Sequence, residues 1–196
     1  MWSARGSESS KRLESSGIPD TVSAMAREFS AGGVVLREIS GVWHVALIEP
    51  QKNELPNENP KAASTPAKAK TPRKSAAVLA LPKGLVDAGE KPQAAALREV
   101  LEETGIAAEL IAKLSDNKYV YVRSWGDGER VFKIVTFYLM RYVSGEIDNL
   151  TSDMRIEVKQ ALWAPLADAA RQLAYSNERK VLRQAQDYVE TRGLSS

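Results

Sequence analysis

Between Gly84 and Ile106 the chain sets Glu99, Glu102 and Glu103 at helical spacings of three and four, so one helix face carries three adjacent negative charges. Like charges so placed repel and weaken an isolated helix. A chain that keeps them together is suited to a cation that neutralises them, and the stretch predicts a divalent-metal site.

The flanking residues predict how that helix begins and ends. Leu81, Pro82, Lys83 and Gly84 close an apolar run, and Asp87, Ala88 and Gly89 supply turn residues. Pro92 suits an early helical position, Ala94 to Leu97 are good helix formers, and Gly105 suits a left-handed cap. The expected order is strand, loop, helix. Leu97, Val100, Leu101 and Thr104 are expected on the face away from the carboxylates, packed on a sheet.

Strand patterns surround this unit. Glu28 to Leu36 and Val42 to Ile48 read as a hairpin turning at Ser40 and Gly41, and Val78 to Leu81 as a third short strand. Lys118 to Arg123 and Val131 to Leu139 read as a second hairpin around Trp125 and Gly128. Gln160 to Trp163 reads as a last strand. Leu166, Ala169, Ala170 and Leu173, then Val181, Leu182, Ala185 and Val189, mark one or two terminal helices. The sum predicts an α/β fold, a mixed central sheet between helices.

The 196 residues suit one domain. Met1 to Arg27 are Ser-rich and charged, with no apolar signal core, and are expected as a flexible tail before a domain over residues 28–190. Residues 51–75 hold six Lys or Arg against Glu54 and Glu58, a net of +4 that leaves the rest of the chain near −2. With Pro56, Pro60, Pro66 and Pro72 and little to bury, they are expected as a disordered insertion. The remaining domain is not basic, so nucleic acid is not the expected partner. The absence of cysteine excludes disulfides, thiolate metal sites and a Cys nucleophile. The apolar runs are shorter than a membrane span, and the expected place of work is the cytoplasm.

Residues 84–106 follow one ungapped pattern: Gly84, five residues, Glu90, seven residues, Arg98-Glu99, an apolar residue, any residue, Glu102-Glu103, any residue, Gly105, an apolar residue. A chance match is on the order of one in 10⁹ per start point. The stretch resembles the Nudix box. The resemblance implies the family's α/β/α sandwich and hydrolysis of a nucleoside diphosphate linked to another group, with Mg²⁺ or Mn²⁺ as cofactor and a small-molecule nucleotide as partner. By the same resemblance Glu99, Glu102, Glu103 and the Gly84 carbonyl are the metal ligands. Either Glu102 or Glu103 stands near the attacking water as general base, and Glu157 matches a downstream glutamate that serves many members as ligand or base. Arg98 and Glu90 are expected as an ion pair that orients the catalytic face, with Arg98 also within reach of phosphate.

For the substrate, Lys83 puts a cation before Gly84 where many members have glycine, as in diadenosine polyphosphate hydrolases and diphosphoinositol phosphatases. Tyr121, sixteen residues past Gly105, resembles the tyrosine of the diadenosine group, and Tyr119 shares its strand face, where aromatic rings stack on adenine. Val120 and Val122 are the alternative buried pair. Lys133 and Arg130 are candidates to face phosphate; Trp125 is a candidate exposed aromatic, and Trp163 and His44 are expected in packed or edge positions. Leu173 to Tyr175 and Asn177 to Arg179 resemble the tail of the diadenosine group, without a mechanism attached. No Pro follows the box before Pro165, unlike the ADP-ribose enzymes, and the upstream signature of the coenzyme A enzymes is missing. Nucleoside triphosphate and RNA 5′-end pyrophosphohydrolases stay open. A silent nucleotide-binding sensor would be expected to break the box, and here every specified position is intact.

Overall fold

Ser40 and Gly41 take left-handed φ values of 51° and 79°. Those angles suit a two-residue hairpin turn, and they fold β1 (Ala26–Ile39) back on β2 (Val42–Pro50). The computed structural model describes residues 25–51, 77–123 and 128–194. The expected tail and insertion fall outside these described residues except at 25–27 and 51, and so does Trp125. After β2 come β3 (Lys83–Leu85), α1 (Pro92–Thr104), β4 (Ile106–Val122) and β5 (Arg130–Gly145). A 3-10 turn at Met154–Ile156 leads to β6 (Val158–Pro165), α2 (Leu166–Gln172) and α3 (Ser176–Arg192).

The strands form one sheet in the order β4-β5-β1-β2-β6, with β3 paired to β1 off that path. β1 runs parallel to β5 and antiparallel to β2 and β3, so the sheet is mixed. Period-two alternation sorts β1 between two layers. Val34 and Leu36 pack with Phe137 and Leu139 under Val181, Leu182 and Ala185 of α3. Ala31 and Val35 pack with Met140 under Ala95, Ala96 and Val100 of α1. Helices thus cover both faces, as an α/β/α sandwich requires. No helix among the described residues is long and apolar enough to cross a membrane.

Three expectations need correction. The strand expected at Val78–Leu81 is reduced to bridges, Ile48 with Ala80 and Leu79 with Leu173. Strand pairing begins at Lys83 instead, because Ser30 to Gly32 of β1 present an edge there. β4 is far longer than the expected Lys118 to Arg123. The long β5 gives residues 106–117 a partner, through register shifts at Ala107/Ala108, Leu110/Ala112 and Lys113/Ser115. Finally, the packed stripe of α1 is Ala95, Ala96, Glu99, Val100, Glu103 and Thr104, while Leu101 is exposed. Two of the three carboxylates therefore lie on the buried side of the helix, not opposite it.

Candidate active site

α1 starts with Pro92 in its first turn and ends at Gly105, whose φ of 76° is left-handed and whose N–H caps Leu101 O at 2.9 Å. Between those ends Glu99 and Glu103 face inward, toward the strand that enters β3. A Cβ on Gly84 would fall 2.0–2.2 Å from the carboxylate atoms of Glu99, so only glycine lets the backbone come this near. Beside it, Glu103 Oε2 accepts the N–H of Lys83 at 2.6 Å. The loop thus delivers a glycine and a backbone donor onto two acids one helical turn apart.

The acids load one another electrostatically. Burial pushes Glu103 up to about 8, with Glu99 and Glu157 adding to the rise against the pull of Lys83 and its N–H. Burial also raises Glu99, and the charges of Glu102 and Glu157 add to it against Arg98. Glu157, at the end of the 3-10 turn and exposed, is thus near enough for both buried acids to feel it.

Arg98 organises the outer side. Its Nη1 donates to Glu99 Oε1 at 2.8 Å and to Glu102 Oε2 at 2.9 Å. Its Nε and Nη2 donate to the two oxygens of Glu90 at 3.1 and 2.9 Å, and Nη2 also reaches the Leu85 carbonyl at 2.9 Å. Glu90 accepts the Asp87 N–H as well, fixing the turn before the helix. The Arg98 hydrogen bond holds Glu90 below the usual carboxylate range, the N–H of Asp87 adding to it.

No three His, Asp or Glu side chains among the described residues stand together as a finished metal cage. The Arg98 guanidinium supplies the positive charge between Glu99 and Glu102. The residues nevertheless fit Mg²⁺ or Mn²⁺ in kind. All the donors are hard oxygens, they carry surplus negative charge in a partly desolvated place, and the absent Gly84 side chain leaves the approach to Glu99 clear.

The substrate candidates gather on the opposite sheet face, toward α3. Lys83, Tyr119, Asn117, Tyr175, Asn177 and Glu178 line a small pocket there. Tyr119 and Tyr121 share a face with ring centroids 6.5 Å apart, while Val120 and Val122 are exposed, which removes the valines as the buried pair. The Tyr121 hydroxyl donates to Glu28 Oε1 at 2.9 Å. Lys133 lies 3.6 Å from Glu28 Oε2, and burial lowers its pKa, aided by the charge of Lys83. Lys83 does not stand as an open cation: its Nζ is 3.2 Å from Glu178 Oε1 and lies 5.9 Å from the Tyr175 ring. Arg130 is exposed, Trp163 packs edge-on against Tyr142, and His44 Nδ1 is 2.9 Å from its own strand's Val42 carbonyl.

Three residues here had no role assigned from sequence: Glu28, Tyr175 and Glu178. Glu178 did leave a signal. With Val181, Leu182 and Ala185 it makes an i, i+3, i+4, i+7 stripe, which puts an acid on the buried face of α3.

A mixed sheet between helices, with a glycine carbonyl strand leading into a glutamate-bearing helix, defines a Nudix-type sandwich. The NUDIX domain model matches residues 63–185, and the chain belongs to the Nudix hydrolase family. It is 34% identical over 163 residues to a Mycobacterium tuberculosis (strain CDC 1551 / Oshkosh) protein named MutT4, covering 83% of this chain and 56% of that one. It is 35% identical over 103 residues to an 8-oxo-(d)GTP phosphatase of Mycolicibacterium smegmatis, covering 53% of this chain and 28% of that protein. The chain therefore spans about half or less of the length of these relatives. The crystal structure of a C. elegans Ap4A hydrolase binary complex superposes with a TM-score of 0.57 at 21% identity, covering 83% of this chain and 98% of that one, a likeness of fold.

Proposed function

We propose that this chain hydrolyses a phosphoanhydride bond in a nucleoside diphosphate linked to another group, with a dinucleoside polyphosphate such as diadenosine tetraphosphate as substrate. The observation that carries the reaction class is the close approach of Gly84 to Glu99, with Glu103 buried beside them. Glu99, Glu102, Glu103 and the Gly84 carbonyl would hold Mg²⁺ or Mn²⁺, with Glu157, whose charge raises both Glu99 and Glu103, as a further ligand or base. A bound divalent cation supplies neutralisation of phosphate charge and polarisation of the attacking water. Either Glu102 or Glu103 accepts the water's proton as its oxygen attacks phosphorus, and the bridging oxygen leaves with the departing nucleotide. Arg98 orients Glu99 and Glu102 through its tie to Glu90 and the Leu85 carbonyl. On the far face Tyr119 and Tyr121 offer rings to a base, and Lys83 and Lys133, which pair with Glu178 and Glu28, would turn their charge to the phosphate chain. The reducing cytoplasm suits a chain without cysteine.

A second reading, a nucleoside triphosphate pyrophosphohydrolase, is favoured by the likeness to the 8-oxo-(d)GTP phosphatase. A hydrolysis screen separates the two. With Mg²⁺ or Mn²⁺, diadenosine tetraphosphate, nucleoside triphosphates including 8-oxo-dGTP, ADP-ribose, diphosphoinositols and triphosphorylated RNA are compared by product chromatography. Preferred conversion of diadenosine tetraphosphate to ATP and AMP is the expected result. Preferred release of pyrophosphate from a triphosphate replaces the first reading with the second, and no turnover of any of these counts against both.

A further inference from the structure

Glu178 is 3% exposed, and nothing in the hydrolysis scheme above uses it. Two donors hold its carboxylate: the Leu81 N–H at 2.8 Å to Oε2 and the Lys83 ammonium at 3.2 Å to Oε1. Lys83 is gripped from the other side as well, since its backbone N–H donates to Glu103. One residue of β3 therefore joins a buried acid of α3 to a buried acid of α1.

The Lys83 ammonium has two attractive carboxylates near it, Glu178 and Glu103. The ammonium contacts the first. If the charge of Glu178 were lost, Glu103 would be the acid left to attract the ammonium, and a lysine on Glu103 competes with any divalent cation for the same negative charge. The Leu81 N–H adds a second function, because that contact fixes the chain two residues before Lys83 and three before Gly84.

We propose that Glu178 is a positioning residue for the metal carboxylates: it draws the Lys83 ammonium away from Glu103 and anchors the strand that presents Gly84 to Glu99. The inference rests on Glu99, Glu103 and Gly84 being the groups that hold the metal.

The test reads metal binding directly, without substrate. Mn²⁺ is titrated into the full chain, and the loss of the free-ion electron paramagnetic resonance signal is followed for the wild type, Glu178→Gln, Lys83→Met with Glu178→Gln, and Leu182→Ala. Melting is recorded for each by circular dichroism. Gln keeps an oxygen for the Leu81 N–H and removes only the charge. Glu178→Gln is expected to weaken Mn²⁺ binding about tenfold, the lower end of what groups beyond the ligand shell cost. The double variant, which also lacks the competing ammonium, is expected to recover wild-type affinity. Leu182→Ala opens the same α3 interface and should melt lower with Mn²⁺ affinity unchanged, so stability loss alone does not imitate the effect. Wild-type affinity in Glu178→Gln, or a double variant as weak as the single, would overturn the positioning role. If Glu178→Gln melts too low to assay, Lys83→Met carries the test: affinity at or above wild type supports the proposal, and weaker binding overturns it. A wild type that binds no Mn²⁺ overturns the metal assignment and this inference with it, a failure visible before any variant is made.

Discussion

At Glu103 the fold buries a carboxylate near Glu99 and offers it one backbone N–H, from Lys83. Such an arrangement costs stability until a cation arrives. Glu103→Gln keeps an acceptor for that N–H and deletes the charge, so its metal-free melting temperature should equal or exceed the wild type's. Turnover with Mg²⁺ should fall by about 100-fold or more, and the more exposed Glu102→Gln should lose turnover similarly. Calorimetry beside steady-state kinetics checks both, and near-normal turnover in the two variants sinks the metal assignment. Gly84→Ala asks a steric question, because its Cβ would lie within 2.2 Å of the Glu99 carboxylate. Its turnover is expected to drop by about 10–100-fold, with some loss of melting temperature as Glu99 is pushed aside. These positions were legible because the box is local: spacing on one helix sets which acids neighbour each other and where Arg98 meets Glu102. Glu178 was assigned no role, since its partners Leu81 and Lys83 lie 97 and 95 positions back in the chain and meet it only through the sandwich.

Among elements, the joint between α1 and the segment leading to β6 depends on Asp148. It holds a left-handed φ of 70°, and its N–H donates to Thr104 O at 2.9 Å. Its Oδ1 accepts from Ala161 N–H at 2.7 Å and from Arg155 at 2.9 Å. The Arg155 hydrogen bond, with the Ala161 N–H assisting against burial, holds Asp148 below its ordinary pKa. A depressed acid stabilises the fold fully above its unfolded pKa, near 4, and loses that contribution as pH falls through the folded value. Asp148→Asn tolerates the same backbone angles but lacks the charge. Its melting temperature should sit below the wild type's at pH 6 to 7, and the gap should close below about pH 4. A gap that persists or widens in acid would deny Asp148 this role. The same scale shows where sequence pattern fails. Residues 106–117 are rich in Ala, Leu, Glu and Lys, residues that favour helices, yet they run as strand because β5 offers a partner along its length. Three register shifts in that ladder blur the period-two signal. The hairpin turn at Ser40 and Gly41 and both ends of α1 needed no distant partner, and they fall where their own residues put them.

For the whole molecule, the question is how the sheet holds together across the join between β2 and β3. The two sides of that join are tied together. Ile48 and Ala80 exchange two backbone hydrogen bonds of 2.9 Å, and the Gln51 N–H donates to Glu157 O at 2.7 Å. Leu79 O accepts the Ala174 N–H, so the returning strand is also pinned to the junction of α2 and α3. These bonds lie inside the described residues and do not call on residues 52–76. Replacing residues 52–76 with a short Gly-Ser link should therefore preserve the sheet. A shorter connection between Gln51 and Ala77 should raise stability by about 1 kcal/mol through the smaller closure entropy. The basic charge of residues 51–75 would also go, so a screen of the shortened chain asks whether that charge contributes to catalysis. Unchanged kcat and KM for the best substrate, with a melting temperature equal to or above the wild type's, is the expected outcome. A rise in KM that follows ionic strength in the intact chain, and vanishes in the shortened one, would make the basic segment an electrostatic guide for phosphate. A lower melting temperature would show that the segment packs on the fold.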